Sequence, residues 1–199
     1  STHALKAAGL SDPQLEENLR IQVDLALQRL YNWQNADGGW GWWGRTKSNL
    51  TTTTYAVLGL IEAQEAGYNV SAEVLEKAMD FLSNQVVTRP KSLDYYELNR
   101  QAFVLYVLAR GGRPDVATVI KYYDRRESMA LYARAFLAQA LFLGDAADPR
   151  LQTLLSDFNN AAVVSASGTH WEESRVDYWN WNTNTRSTAI ILSALGKID

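Results

Sequence analysis

The chain has 199 residues, 47% of them apolar and 21% charged, which is enough to bury a full core and too hydrophobic for disorder, so it reads as one large domain over residues 1–199. A net charge of −3, with no run of Lys or Arg longer than two neighbours, argues against nucleic acid or an anionic membrane as partner. With no cysteine, disulfides, Cys nucleophiles and thiolate metal sites are excluded together, and no apolar run reaches the roughly 18 residues needed to span a bilayer.

Taken in chain order, the first element is an amphipathic helix over 13–33, opened by Asp12-Pro13, an acidic cap followed by proline at the first helical position. Residues 33–44, WQNADGGWGWWG, then place four of the seven tryptophans beside four glycines, a composition that neither a helix nor a plain polar loop tolerates. That segment predicts a tight turn in which glycine releases the backbone and aromatic plates wedge into neighbouring structure. An apolar helix follows over 50–67, and Ser71 caps an amphipathic one over 71–86. The alternation continues with apolar 99–111, amphipathic 114–124, apolar 132–144, amphipathic 149–160 behind Asp148-Pro149, and apolar 185–196. Each apolar segment ends in Gly. Setting Ile61, Leu108, Leu141 and Leu195 in register also aligns Ala56, Phe103, Phe136 and Ile190. Tyr95-Tyr96 and Tyr122-Tyr123 read as outer-layer packing.

Helices that are apolar nearly all round are buried on both sides, and their amphipathic partners form a covering layer. The expected fold is therefore all-α, an α/α toroid of about four helical hairpins, incomplete because six would close the ring. Residues 161–184 break the helical period and carry valines, Tyr178, Trp179 and Trp181 around Gly168, which predicts a β-hairpin or ordered loop insertion.

Three constellations stand out. Gln34, Gly38 and Trp40 match a Gln-x3-Gly-x-Trp spacing that resembles the repeated motif of triterpene cyclases, but the Asp-x-Asp-Asp acid of those enzymes is missing, which favours a hairpin-locking turn. Protein prenyltransferase subunits share the toroid yet hold zinc partly through Cys, so no metal or other cofactor is expected here. His170-Trp171-Glu172-Glu173 with Asp177 is the only crowding of imidazole and carboxylates, and with Trp179 and Trp181 for stacking it keeps open a carbohydrate-active barrel. Adjacent Glu172 and Glu173 point to opposite faces, which makes them poor partners for acid/base work. Arg100, Arg134 and Arg186 sit at or beside the starts of apolar helices and are expected either to bind an anion or, the favoured reading, each to pair with a carboxylate such as Glu97, Glu127 or Asp177.

The ordered set DGGWGWWG, LTTTTYAVLGLIEAQEAGYNVSAEVLEKAMDFL, RQAFVLYVLARGG, THWEE and NTRSTAIILSAL resembles the thioester domain of bacterial alpha-2-macroglobulins over nearly the whole chain. The resemblance implies an α/α toroid inside a large periplasmic or cell-envelope protein that traps proteases. There, cleavage of a bait region elsewhere exposes an internal Cys-Gln thioester, which acylates the protease. It also implies that this domain is no enzyme, and that its partners are other domains of the parent protein and target proteases. The Cys-x-Glu-Gln motif is absent from the chain; by the family's layout it would lie shortly before Ser1, and no histidine between Gln85 and Leu98 matches the one that steers complement-type relatives toward hydroxyls. The chain accordingly reads as a piece cut at both ends, or as one from a thioester-lacking branch, with self-association through the cut edges. Within this reading Trp40, Trp42, Trp43, Trp171, Trp179 and Trp181 are candidates for an aromatic wall that keeps water from an acyl bond, and His170, Glu172 and Glu173 for loop contacts. A plain protein-interaction module is the remaining alternative.

Overall fold

The computed structural model describes residues 13–166 and 168–198, so the expected Asp12 cap, and Ser1 and His3 at the start of the chain, lie outside the described residues. Eight α-helices and one two-stranded hairpin make the described chain all-α in class, and it divides into two compact units, Ser1–Asn84 and Gln85–Asp199. None of these helices is both long and apolar enough to cross a membrane.

In the first unit, α1 (Pro13–Trp33) is amphipathic, with Leu27 its one fully buried residue. The next helix, α2 (Leu50–Glu65), is capped by Asn49, whose side chain accepts from Thr52 N, and it buries Val57, Leu60 and Ile61. It closes in a Schellman turn: Tyr68 N reaches back to the Ala63 carbonyl (3.0 Å), which requires the positive φ of +87° at Gly67. Ser71 caps α3 (Ala72–Asn84) through Val74 N, as its position predicts.

The turn between α1 and α2 shows why glycine sits where it does. Gly38 has φ +87°, and a Cβ added there would fall on the Lys77 carbonyl oxygen of α3. Both constraints are backbone ones, so no rotamer change relieves them. Gly38→Ala is expected to cost the first unit about 3 kcal/mol or more. Gly67→Ala, where nothing lies within 4 Å, carries the φ penalty alone. Urea unfolding of the two variants checks this, and equal midpoints would show that the contact with α3 is unimportant.

In the second unit, α6 (Leu131–Gly144) is central, packing on α4 (Tyr95–Arg110), α5 (Val116–Tyr123), α7 (Arg150–Ala161) and α8 (Asn184–Ile198). Its residues from Ala135 to Leu141 are all buried, as are Gln101 to Ala109 of α4, which matches the expectation for apolar helices. The register read from the sequence is spatial here: the aligned Phe103 and Phe136 rings lie 4.8 Å apart.

Several boundaries differ from the sequence reading. The α4 helix begins one turn before Asn99, because Asp94 and Glu97 form a reciprocal capping box. Tyr95 and Tyr96 therefore stand in the first turn of an apolar helix, not in an outer layer. The cap of α5 is Asp115, which accepts from Thr118 N, rather than anything at Pro114. The fourth apolar helix does not stop at glycine, since α8 runs through Gly196. Gly144 serves close approach rather than an exit turn, because a Cβ there would strike Val116 and Pro114.

The predicted insertion is a short antiparallel hairpin of β1 (Val163–Ser165) and β2 (Gly168–His170), with Val163 opposite His170. An ordered loop over 171–183 follows, containing the 3₁₀ turn Tyr178–Asn180.

Candidate functional site

The glycine- and tryptophan-rich turn separates its aromatic residues into two kinds. Trp40 is 3% exposed, and its indole Nε1 donates to the Leu30 carbonyl of α1 (2.8 Å) while its own amide donates to Thr53 Oγ1 of α2 (2.9 Å). Gln34 Nε2 donates to the Gly38 carbonyl (3.0 Å) and across to the Val74 carbonyl of α3 (2.8 Å). Asp37 accepts from Gly39 N and from the Ser48 hydroxyl. The Gln-x3-Gly-x-Trp spacing is thus a lock joining three helices of one unit. Trp42 and Trp43 are instead largely exposed, at 49% and 81%.

The loop over 171–183 likewise divides the expected His and carboxylate cluster. His170 Nε2 lies 3.3 Å from Glu172 Oε1, and both side chains face solvent. Glu173 turns inward, where its carboxylate accepts from Leu131 N (2.9 Å) and Tyr132 N (3.0 Å) at the start of α6 and from the Ser187 hydroxyl of α8. A carboxylate at a helix N-terminus meets both the orphan N–H groups and the positive end of the dipole. Alanine at position 130 offers no capping side chain, so a residue 43 positions downstream supplies the cap that α6 lacks locally.

Asp177 is the centre of the loop. It is 1% exposed and accepts from Asn99 Nδ2 (2.7 Å), the Tyr132 hydroxyl (2.7 Å), and both the backbone and side-chain nitrogens of Asn180. Asn99 in turn accepts from Ala130 N (3.0 Å). Burial above all, then the hydrogen bond to Asp177, raises the Tyr132 phenol, so it stays a donor. The Tyr95 phenol is pushed up to about 12, first by burial and then by Glu173. Tyr95 and Tyr96 flank the Arg175 guanidinium at 4.6 and 4.8 Å and so fasten the outer edge of the loop.

Trp171 is buried, with Nε1 donating to the Phe158 carbonyl of α7 (2.7 Å), in a cluster with Leu154, Ile191 and Ala194. Trp179 and Trp181 remain 72% and 51% exposed, and Trp181 takes a left-handed φ of +51°.

Of the three arginines Arg134 finds a carboxylate, though a different one from those named, and the contacts of Arg100 and Arg186 seen here are to amide oxygens and a ring. Arg100 donates to Asn180 Oδ1 (3.3 Å), Arg134 pairs with Asp157 (3.6 Å), and Arg186 donates to Asn182 Oδ1 while covering the Tyr132 ring at 5.0 Å. Glu97 is already committed to the capping box, and Asp177 is filled by neutral donors. Asn99 and Asn180, central to the loop, were not among the residues expected to matter. The sequence signal for Asn99 was an amide inside an otherwise apolar helical run, which is tolerated only with fixed partners.

Chemically, the inward carboxylates Glu173 and Asp177 are each surrounded by donors, and the outward Glu172 pairs with His170. This arrangement positions a loop against three helix starts and offers no paired carboxylates across an open cleft. Among the described residues no group of three or more His, Cys, Asp or Glu is placed to hold a metal ion.

No protein-family model matches the chain. An alpha-2-macroglobulin of Thermotoga maritima is 34% identical over 186 residues, covering 90% of this chain and 12% of that protein. Among solved structures, Salmonella alpha-2-macroglobulin reacted with methylamine aligns with a TM-score of 0.74 at 22% identity, covering 97% of this chain and 12% of that one. Trypsin-activated alpha-2-macroglobulin from Escherichia coli aligns with a TM-score of 0.71 at 20% identity, covering 97% and 13%. The chain thus spans about an eighth of the relative it matches, and the structural likeness shows the fold, all-α and of the toroid type expected from the alternation of helices.

Proposed function

We propose that this chain, whose homologues are bacterial alpha-2-macroglobulins, is one helical domain of a longer protease inhibitor, the domain that carries or descends from the thioester-bearing toroid. The observation that carries the reading is the identity of 34% across 90% of the chain. Its work is non-enzymatic: to hold and shield a reactive loop and to dock against other domains of the parent, in the periplasm or cell envelope, until a target protease triggers rearrangement. Methylamine reacted with one of the structural neighbours and trypsin activated another, which is the chemistry and the trigger this reading requires.

Water hydrolyses an exposed acyl bond, so a trap of this type needs apolar cover over it. Trp40 and Trp171 already hold their own units together, which leaves Trp42 and Trp43 on the turn, or Trp179 and Trp181 on the loop, as candidates for that cover. The exposed apolar residues of α1, Leu15, Ile21, Leu25 and Trp33, suit docking on another domain. A carbohydrate-active role is less favoured, because Glu173 and Asp177 are enclosed among structural donors.

The test is made on the parent protein, read about 60 residues upstream of Ser1 and expressed in full. Release of a thiol by methylamine, together with trypsin held in a complex, supports a covalent trap. Trypsin retention without thiol release supports the non-covalent branch. Absence of both thiol release and trypsin retention overturns the inhibitor reading and leaves a protein-interaction module. In a covalent trap, Trp42→Ala with Trp43→Ala is expected to shorten the thioester lifetime; an unchanged lifetime removes these two residues from the shielding role.

A further inference from the structure

The second unit contains a cavity of about 540 Å³ lined by Arg89, Pro90, Lys91, Lys121, Asp124 and Arg125. Four cations face one carboxylate, an excess of three positive charges in a chain whose net charge is −3. The sequence conceals this, because the cations come from two separate segments, 89–91 and 121–125, each too short to read as a basic cluster. What joins them is Arg125, whose Nη1 donates to both the Pro90 carbonyl (2.8 Å) and the Lys91 carbonyl (2.9 Å).

Those two bonds use both hydrogens of Nη1 and fix the plane of the guanidinium. Nε and Nη2 have no partner among the described residues, and together they form the edge of arginine that matches two oxygens of an oxyanion. Arg89, Lys91 and Lys121 make no ion pair among the described residues and stand exposed around the cavity. One arginine fork fixed by two backbone carbonyls, with three exposed cations lining the same cavity, is the arrangement that binds a multivalent oxyanion rather than a lone carboxylate.

We infer that this cavity is a binding site for a phosphate ester. A phosphate monoester carries nearly two charges at neutral pH and three acceptor oxygens, which suits the fork and the local excess of charge. The volume exceeds what a bare phosphate fills and falls in the range of small organic ligands, and Pro90 with the arginine and lysine stems lines the cavity beside the charges. Two sources share this chemistry: a soluble glycerol or sugar phosphate, and a phospholipid headgroup. The site lies wholly within one unit and does not depend on the protease-inhibitor reading.

The experiment is isothermal titration of the 199-residue chain with glycerol 3-phosphate and with pyrophosphate, at low and at raised salt. Saturable one-to-one binding is expected, weakened roughly tenfold by Arg89→Ala with Lys121→Ala, two exposed positions whose replacement leaves the melting temperature unchanged. Arg125→Lys keeps the charge but loses the fork and is expected to weaken binding by a similar factor, with helical circular dichroism checking that it folds. Co-sedimentation with phosphatidylglycerol vesicles, lost in the double variant, would identify the source as a lipid headgroup; binding of the soluble ester alone would identify a free phosphate. Heats that do not saturate, equal binding by the variants, or tighter binding of a hexaglutamate peptide would overturn the proposal, the last in favour of docking to an acidic protein segment.

Discussion

Asp177→Ala is expected to destabilise the second unit by about 3–5 kcal/mol, since removing one side of a buried, hydrogen-bonded charge leaves its partners unsatisfied. The alanine would strand the Asn99 amide, the Tyr132 hydroxyl and the Asn180 backbone N–H in a site 1% exposed to solvent, while Asn180 Nδ2 keeps the Tyr96 carbonyl. For a chain of this length such a loss lowers the melting temperature by on the order of 10 °C. Asp177→Asn tests the chemistry rather than the shape. The amide has one acceptor oxygen where the carboxylate has two, and its NH2 would face donors, so it should cost nearly as much as alanine despite equal size. Tyr132→Phe removes one donor and leaves the rest of the set intact, for about 1 kcal/mol. Hydrogen exchange over 171–183 supplies the local readout: in Asp177→Ala these amides should exchange far faster while those of α2 stay as in the parent chain. If Asp177→Ala melts within about 2 °C of the unsubstituted chain, the carboxylate is not what holds the loop down.

Much of this architecture is legible in the sequence because helix burial leaves a periodic trace. The apolar segment over 99–111 falls on α4 up to its cap at Gly111, that over 132–144 lies inside α6, and the alignment of Phe103 with Phe136 becomes a ring contact. Local capping signals were also readable, and where one went unread, as with Asp94 and Glu97, the helix start was misplaced by a turn. The polar centre was not legible for a different reason. Glu173 caps α6 from 42 positions beyond Leu131, and Asp177 meets Asn99 from 78 positions away, distances at which sequence carries no periodicity. For the same reason the basic cavity formed by 89–91 and 121–125 has no linear signature. Arg134 pairs with Asp157 rather than with a carboxylate named in advance, because proximity in a register says which residues are near, while competition among donors decides which ones bond. Trp40 and Trp43, three positions apart in one aromatic run, show the limit most plainly: their composition is identical and their burial is opposite.

That contrast sets the second large effect. Trp40→Ala removes the buried indole of the turn from a site 3% exposed, and the expected cost to the first unit is about 3–5 kcal/mol, from lost burial and the cavity left behind. The Leu30 carbonyl loses the indole donor but still accepts from Gln34 N (3.1 Å), so the helix end keeps one partner and the packing loss dominates. Trp40→Phe should fall between the two, retaining most of the ring volume and losing the N–H. Trp43→Ala, at 81% exposure, should stay within about 0.5 kcal/mol of the unsubstituted chain. Urea unfolding followed by circular dichroism separates these outcomes, and equal costs for Trp40→Ala and Trp43→Ala would mean that the turn is held as a whole rather than by one ring. The distinction matters for function because a residue that carries fold stability cannot be tested cleanly for shielding or docking. Trp43 can be: with its folding cost near zero, any change that Trp43→Ala produces in protease capture by the parent protein belongs to contacts made outside this unit.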